Sequence, residues 1–557
     1  LIKDPKFDKN KLYFIPLGGA GHFGANLNIY VFQSKILIVD FGIGFPNKSK
    51  DPNIDAYLPD IDFLKRHKED IVGMVITHAH EDHVGAIPYL WQHLKCPIYA
   101  TAFSAEFIRT KTRQKAWYKD LNLKEVDLSA HLEIGPFSCD LININHSILE
   151  PNALTIKVDG YKPLFHTGDW KHDETPVIGE HTDIEAQDFL AEQDILAAIG
   201  DSTNALRKGY SRSEKDVQNC LISLFKKRKK RIVVTCFSSN VGRWFSVAKA
   251  AELNGRHVAL VGRSLWRMYE CALYAGYLQD CPKFLNAEKA SFLPNDKVVY
   301  ICTGTQGEEN SAMHKIAYQN HRDIELESGD CVVFSSFDIP GNETNITQMK
   351  EQLLKRGIEV VDRSDISETH ASGHPNQEEL RDLYTRLKPT IVIPVHGEVP
   401  MLHAHAKIAQ SCNVKQTLIP KNGDVIVFEN DQAKSIDHIP VNLKIIDHGM
   451  ITDQNSLYLS NRKKLSVAGT CTISLIIGEK NELIGKPQAV TIGIIDDFEN
   501  EAEIYNNLEH FLSNNFTAHK KEILIKEDMR RAARRFFSRE LNRKKPVTNV
   551  ILHKVKG

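Results

Sequence analysis

Three absences narrow the reading before any motif is considered. No stretch approaches the roughly 18 consecutive apolar residues of a membrane span, and no secretory-signal pattern opens the chain. The ten cysteines are scattered and include no CxxC pair, which fits reduced thiols better than a disulfide framework. Reduced thiols and a cytoplasmic location are the expectation. Cys236, Cys302 and Cys331 lie in apolar strand-like runs, where a thiol fills core space. Excess charge is missing too: a net charge of −1 gives no global case for a polyanionic partner. Only local runs are basic, Lys226-Lys-Arg-Lys-Lys-Arg231 and the set Arg530, Arg531, Arg534, Arg535, Arg539, Arg543, Lys544 and Lys545. Each reads either as a solvated helix face or as a patch that attracts phosphates. What remains is ordinary globular composition, 42% hydrophobic and 25% charged, in a 557-residue length that fits about three or four domains.

Against that background one stretch is dense in chemistry. Thr77-His-Ala-His-Glu-Asp-His-Val-Gly-Ala86 holds four potential metal ligands, His78, His80, Asp82 and His83, within six residues. The apolar run Ile71–Thr77 reads as a buried strand and Val84–Leu94 as a helix, so the cluster sits on a strand-to-helix loop. Imidazoles and a carboxylate suit zinc or manganese, whereas magnesium and calcium prefer oxygen shells. Zinc is the expected ion, with manganese or magnesium left open. The alternating histidines can face one ion while Asp82 and His83 turn to a second. Three further residues follow apolar strand-like runs: His146 after Asp140–Asn145, Asp169 after Phe165–Gly168, and His396 after Thr390–Val395. His166, one strand residue earlier than the Asp169 turn, is expected to pack.

Strand and turn signals alternate through Leu12–Leu17, Asn26–Phe32, Ile36–Asp40 and Pro163–Thr167. From about residue 206 the pattern becomes doubly wound: Arg231–Phe237, His257–Val261, Lys297–Cys302 and Asp330–Ser335 are continuous apolar strands separated by helices. Beyond 447 come strands Thr472–Ile477 and Ala489–Ile495, a polar helix, a basic helix over Glu527–Leu541 and a strand near Val547–Leu552. Periodicity alone leaves open whether 360–445 closes the second domain or returns to the first.

With Asp40 at an early strand end, His78-Ala-His-Glu-Asp-His83, His146 and Asp169 resemble the motif set of the metallo-β-lactamase fold. Asp201 in Gly200-Asp-Ser-Thr203, His374 in His370-Ala-Ser-Gly-His374 and His396 in Pro394-Val-His-Gly-Glu398 resemble the additional motifs of its β-CASP nuclease branch. Pro16-Leu-Gly-Gly19, Asp201-Ser-Thr-Asn204, Phe237-Ser-Ser-Asn240, Val261-Gly-Arg-Ser264, Thr303-Gly-Thr-Gln-Gly-Glu308 and Ile339-Pro-Gly-Asn-Glu343 resemble bacterial ribonuclease J. The resemblance spans about 11–445 and continues in layout to the end. It implies an α/β chain: an αββα metallo-β-lactamase domain over 11–205 and 361–445, interrupted by a β-CASP domain at 206–360. A small C-terminal α/β domain over 447–557 would support a homodimer or homotetramer. Three departures stand out: His22 lies in a glycine turn where the family carries an acidic residue nearby, Glu150 falls where it has Pro then Asp, and Gly242 replaces a histidine.

The activity implied is 5′→3′ exoribonuclease and endoribonuclease cleavage of single-stranded RNA in RNA decay and maturation. A related DNA-directed hydrolase and a non-catalytic scaffold are the competing readings. One ion is assigned to His78, His80 and His146, the other to Asp82, His83 and His396, with Asp169 bridging and Asp40 orienting a ligand. Two ions roughly 3.5–4 Å apart activate water and neutralise phosphate charge. By resemblance His374, held by Asp201, is the general acid or phosphate-stabilising group, suited by a near-neutral pKa. Ser238, Ser239, Asn240, Arg243, His370, Ala371, Ser372, Gly373 and His374 are expected to form a 5′-monophosphate pocket, since hydroxyls, backbone N–H groups and a guanidinium are the donors it needs.

Overall fold

In a computed structural model of the chain, residues 4–46, 54–339, 341–495, 500–519, 521–539, 541–543 and 545–555 are described. Pro340 and Lys544, named above, lie outside the described residues. The chain forms two compact units, Leu1–Ile451 and Thr452–Gly557.

Two sheets build the first part of the larger unit. One has eight strands, in the order Gln432–His438, Asp424–Glu429, Leu12–Gly18, Leu27–Phe32, Lys35–Val39, Ile71–Val75, Ile98–Thr101 and Leu123–Val126. The other has seven, in the order Gln416–Thr417, Ile391–Val395, Ala197–Asp201, Leu164–His166, Asn152–Lys157, Phe137–Asn143 and His131–Ile134. Phe14, Tyr30, Leu37 and Val75 of the first share one core with Phe137, Leu141, Leu154, Ile199 and Ile393 of the second. Helices Ile184–Ala191, Gln377–Leu387 and Val399–Ser411 cover the far face of the second sheet through Leu190, Leu380, Leu383 and Ile408. The result is an αββα sandwich.

A third sheet of six parallel strands follows, ordered Leu285–Asn286, His257–Val261, Val298–Cys302, Ile232–Thr235, Cys331–Phe334 and Glu359–Val361. Its central strands are apolar because both faces are buried, under Val241–Leu253 on one side and Glu343–Lys355 on the other. The chain then returns. Ile391–Val395 pairs in parallel with Ala197–Asp201, and Asp424–Glu429 pairs with Leu12–Gly18.

Three elements differ from the sequence reading, among them the basic helix expected over Glu527–Leu541, which is Glu522–Arg539. The single helix expected over Val84–Leu94 is broken into Glu81–Val84, Ile87–Leu90 and a 3-10 turn at Trp91–His93. Gly85 lies at the break, and Pro88 in the next first turn has no N–H to donate backwards. The strand expected at Ala489–Ile495 is Leu483–Ile492, stopped at Gly493 with its φ of +70°.

The smaller unit is a three-stranded sheet, ordered Leu483–Ile492, Thr470–Ile477 and Val547–Lys554. Helices Glu501–Asn514 and Glu522–Arg539 pack on one face through Leu508, Leu512, Met529 and Phe537. Among the described residues no helix is long and apolar enough to cross a membrane.

Candidate metal centre

Strand direction gathers the site. Lys35–Val39 and Ile71–Val75 run parallel, as do Leu164–His166, Ala197–Asp201 and Ile391–Val395, so each group delivers its C-terminal ends to one rim. Asp40, the loop from His78 to His83, Asp169, Asp201 and His396 all lie on those ends. Asp40 and His396 adopt left-handed backbone, φ +65° and +50°, a conformation tolerated where surrounding contacts fix it. Gly42 lets the histidine loop pack closely, because a Cβ there would lie 1.5 Å from the Asp82 carbonyl oxygen.

The ligand atoms converge in two groups. His78 Nε2 and His146 Nε2 stand 3.1 and 3.0 Å from His80 Nδ1, with Asp169 Oδ2 3.8 Å from His78 and 4.0 Å from His146. Asp169 Oδ2 is also 3.1 Å from His83 Nε2 and 3.3 Å from His396 Nε2, while Asp82 Oδ2 is 3.6 and 3.8 Å from the same two nitrogens. An ion about 2.0–2.1 Å from each ligand spaces tetrahedral neighbours roughly 3.3 Å apart, close to the separations in both groups.

In each imidazole the nitrogen turned away from the cluster has its own partner. His83 Nδ1 donates to Asp40 Oδ2 at 2.7 Å, His146 Nδ1 to the Gly373 carbonyl at 2.5 Å, and His396 Nδ1 to Asn26 Oδ1 at 2.9 Å. Thr77 Oγ1 gives its hydrogen to Asp40 and accepts from His78 Nδ1 at 3.0 Å. His80 Nε2 meets Ser239 Oγ at 3.1 Å. Fixed tautomers of this kind are how outer contacts orient a metal shell. Burial, and the neighbouring histidines for His78, hold His78 well below the ordinary histidine range and bring His80 down to about 4, so both rings are neutral and able to coordinate. Burial also opposes charge on His83, but Asp169, Asp40 and Asp82 outweigh it and push its pKa well up. That proton must leave when a cation arrives. The donor set, five imidazoles around a shared carboxylate, fits divalent metal.

His374 stands beside these groups, its Nδ1 2.7 Å from Asp201 Oδ2 and 4.0 Å from Asp169 Oδ2. His80, Asp82 and His374 are half-buried and the other members buried, so these three mark the open side. His166 stays apart as expected, its Nδ1 2.9 Å from the Tyr30 hydroxyl.

Known proteins carry the same sequence pattern in four pieces. Family models match at 26–182 (metallo-beta-lactamase superfamily), 229–353 (ribonuclease J, beta-CASP domain), 359–419 (Zn-dependent metallo-hydrolase RNA specificity domain) and 457–555 (ribonuclease J C-terminal domain). Ribonuclease J of Sinorhizobium meliloti is 36% identical over 554 residues, 98% of each chain. The chain belongs to the ribonuclease J family. The ribonuclease J of Corynebacterium glutamicum is 34% identical over 89% of this chain and 69% of its own. A crystal structure of a protein of unknown function from Enterococcus faecalis V583 has a TM-score of 0.51 at 16% identity, over 75% of this chain and all of that one, a likeness of fold alone.

Around the ribonuclease J loop His370–His374 the structure alters one expectation. Arg243 was expected to donate to a phosphate, yet its guanidinium is buried and committed. Nε and Nη2 reach Glu214 at 3.0 and 2.8 Å, Nη1 reaches the Ser335 carbonyl and hydroxyl at 2.7 and 2.6 Å, and Nη2 also approaches the Ala371 carbonyl at 3.4 Å. Arg243 therefore supports the loop from beneath. Asn240 is similarly occupied, capping Val241–Leu253 by accepting from Arg243 N at 2.8 Å. Ser238, Ser239, His370 and Ser372 remain half-buried on the two turns that face each other, with Ala371 and Gly373 buried between them. Gly373 has no room for a side chain, since its Cβ would sit 2.7 Å from His146 Nδ1.

Sequence reasoning missed several residues that act here. Asn26 ties His396 to the Asp82 carbonyl, and Thr77 fixes His78. Glu214 balances Arg243. Asn204 Nδ2 donates to Ser372 Oγ at 2.8 Å and to the His374 carbonyl at 3.1 Å. None carries a metal-ligand signature; only adjacency to motif residues could have flagged Thr77 and Asn204. Of the departures, Glu150 is buried and accepts from Phe103 N at 2.8 Å, and His22 Nδ1 meets Asn422 Nδ2 at 3.2 Å. A side chain at Gly242 would meet Val177 at an ordinary 3.4 Å. Two members of the basic run are paired, Arg228 with Glu359 at 2.6 Å and Arg231 with Glu327 at 3.3 Å.

Proposed function

We propose that this metal-dependent ribonuclease uses two divalent ions, zinc in the first instance, one held by His78, His80 and His146 and the other by Asp82, His83 and His396, with Asp169 shared. When bound, such ions acidify water and neutralise charge on a phosphate. The observation that carries the reading is the outward anchoring of all five imidazoles, which turns their remaining nitrogens into two groups that share Asp169. His374 supplies the proton for the leaving 3′-oxygen. Asp201 orients its ring and favours the charged form, and the half-buried position lets it reach a bound phosphodiester. Asp40 and Asn26 hold His83 and His396 in place.

Single-stranded RNA with a 5′-monophosphate is the preferred substrate. Ser238, Ser239, His370, Ser372 and the N–H groups of the His370–His374 loop receive the terminal phosphate, with Arg243 and Asn240 holding the two turns in position. When that pocket is engaged the enzyme removes 5′ nucleotides; when RNA passes without engaging it, cleavage is internal. The protein works in the cytoplasm as a homodimer or homotetramer. Support for assembly comes from the smaller unit, whose sheet face opposite the helices exposes, among the described residues, Ile476, Ile484, Val490, Ile492 and Ile551.

Matched 5′-phosphorylated RNA and DNA oligomers, with and without chelator, test the reading. RNA should yield mononucleotides and shorter internal fragments, lost on chelation and restored by zinc or manganese. DNA cleavage at the same rate, or cleavage that survives chelation, would overturn it.

A further inference from the structure

The Arg207 and Arg363 guanidiniums both lie over the ring of Phe337, 4.0 and 4.1 Å from its centroid. Arginine stacks readily on an aromatic face because its planar charge is weakly hydrated. A ring quadrupole is nevertheless a small counterweight to two cations. Among the described residues neither arginine forms an ion pair or a side-chain hydrogen bond. Other arginines of this unit are matched, Arg243 by Glu214, Arg66 by Asp4 and Arg109 by Glu125. The acids flanking Arg363 are committed elsewhere: Asp362 to Lys350 at 2.6 Å, and Asp365 to the Asp362 N–H at 3.1 Å. Partial burial, and then the charge on Arg363, work against the protonated form of Arg207. This cluster is short of negative charge.

Its position says where the charge comes from. The Phe337 ring meets the His370 ring edge-on, centroids 4.4 Å apart, and His370 opens the loop that ends in His374. Arg207 lies three residues beyond Asn204, which holds that loop, and its carbonyl accepts from Gln377 N at 2.9 Å just past the loop. Both side chains are exposed. We propose that Arg207 and Arg363, stacked on Phe337, clamp backbone phosphates of single-stranded RNA beside the loop that carries His374. The inference rests on the ribonuclease reading above. Guanidinium forks match phosphate oxygens, and a clamp without base contacts holds any sequence.

Steady-state cleavage of 5′-phosphorylated RNA by the metal-loaded full chain, repeated over a range of salt concentrations, tests this. R207A/R363A should raise KM about tenfold while kcat stays within about twofold. Each phosphate contact on a single strand contributes roughly 0.7 to the slope of log affinity against log salt, so losing two should flatten that slope by about 1.4. R207K/R363K keeps the charge and should retain the slope while KM rises less. An unchanged slope in the alanine variant, or a fall in kcat at constant KM, would overturn the clamp. Absence of RNA cleavage by the unmodified enzyme would instead defeat the ribonuclease reading itself.

Discussion

Asn26 joins the first candidate ligand loop to the last candidate ligand: Oδ1 accepts from His396 at 2.9 Å while Nδ2 donates to the Asp82 carbonyl at 3.0 Å. Without it the His396 ring loses both its tautomer and its orientation. Asn26→Ala should therefore weaken divalent-ion affinity about 10–100-fold, the usual effect of removing an outer-shell partner, as read by competition with a chromogenic chelator. Unchanged affinity would mean that the strand end alone positions His396. His374 gives a second test. Burial opposes its charge, but Asp201, Asp169 and Asp82 prevail and raise its pKa from 6.5 to about 9. A raised folded pKa stabilises fully below 6.5, and that contribution disappears as pH climbs through about 9. The melting temperature of metal-stripped protein should fall across this window, and that of His374→Gln should fall less. Parallel profiles would place the titration on another group. With metal restored, His374→Ala should lower kcat about 10²–10⁴-fold, the range for loss of a general acid, with RNA binding largely intact.

Elements explain both what the sequence disclosed and what it hid. His78, His80, Asp82 and His83 were legible because four ligands crowd one loop, and His146, Asp169 and His396 because each follows an apolar strand. The convergence itself is a property of parallel pairing, which no local pattern records. The break after Val84 was hidden because the apolar periodicity runs on through Gly85 and Pro88. The commitment of Arg243 was hidden because its partner, Glu214, begins a separate helix and looks like an ordinary first-turn acid. Gly373 shows how tightly loop and centre are coupled. Its carbonyl fixes the His146 tautomer, and its missing side chain gives the ring its space. Gly373→Ala should push His146 off its partners and reduce bound metal per chain, measured by elemental analysis, with little change in secondary structure by circular dichroism. Full metal occupancy would show that the loop yields instead of the histidine.

At the scale of the whole molecule, the proposed chemistry and the proposed assembly fall in different units. The larger unit holds every candidate ligand, while the smaller one alternates along its sheet between a face packed on helices and a face that, among the described residues, exposes several aliphatic side chains. On Thr470–Ile477, Cys471, Ile473, Leu475 and Ile477 are buried against the helices, whereas Ile476 joins Ile484 and Ile551 on the other side. Val490 and Ile492 are the most open of that face, 64% and 71% exposed. A face of this kind is stable in water when a second copy covers it, and a pair of carboxylates placed there would be buried without partners in the assembly. An uncompensated buried charge costs roughly 3–5 kcal/mol, which weakens association by about two to three and a half decades. On the proposed assembly, V490D/I492D should therefore sediment as a monomer at concentrations where the parent chain sediments as a larger species. The substitutions leave the packed face untouched, so the variant should keep its fold and its metal. Sedimentation identical to the parent would exclude this face as the interface.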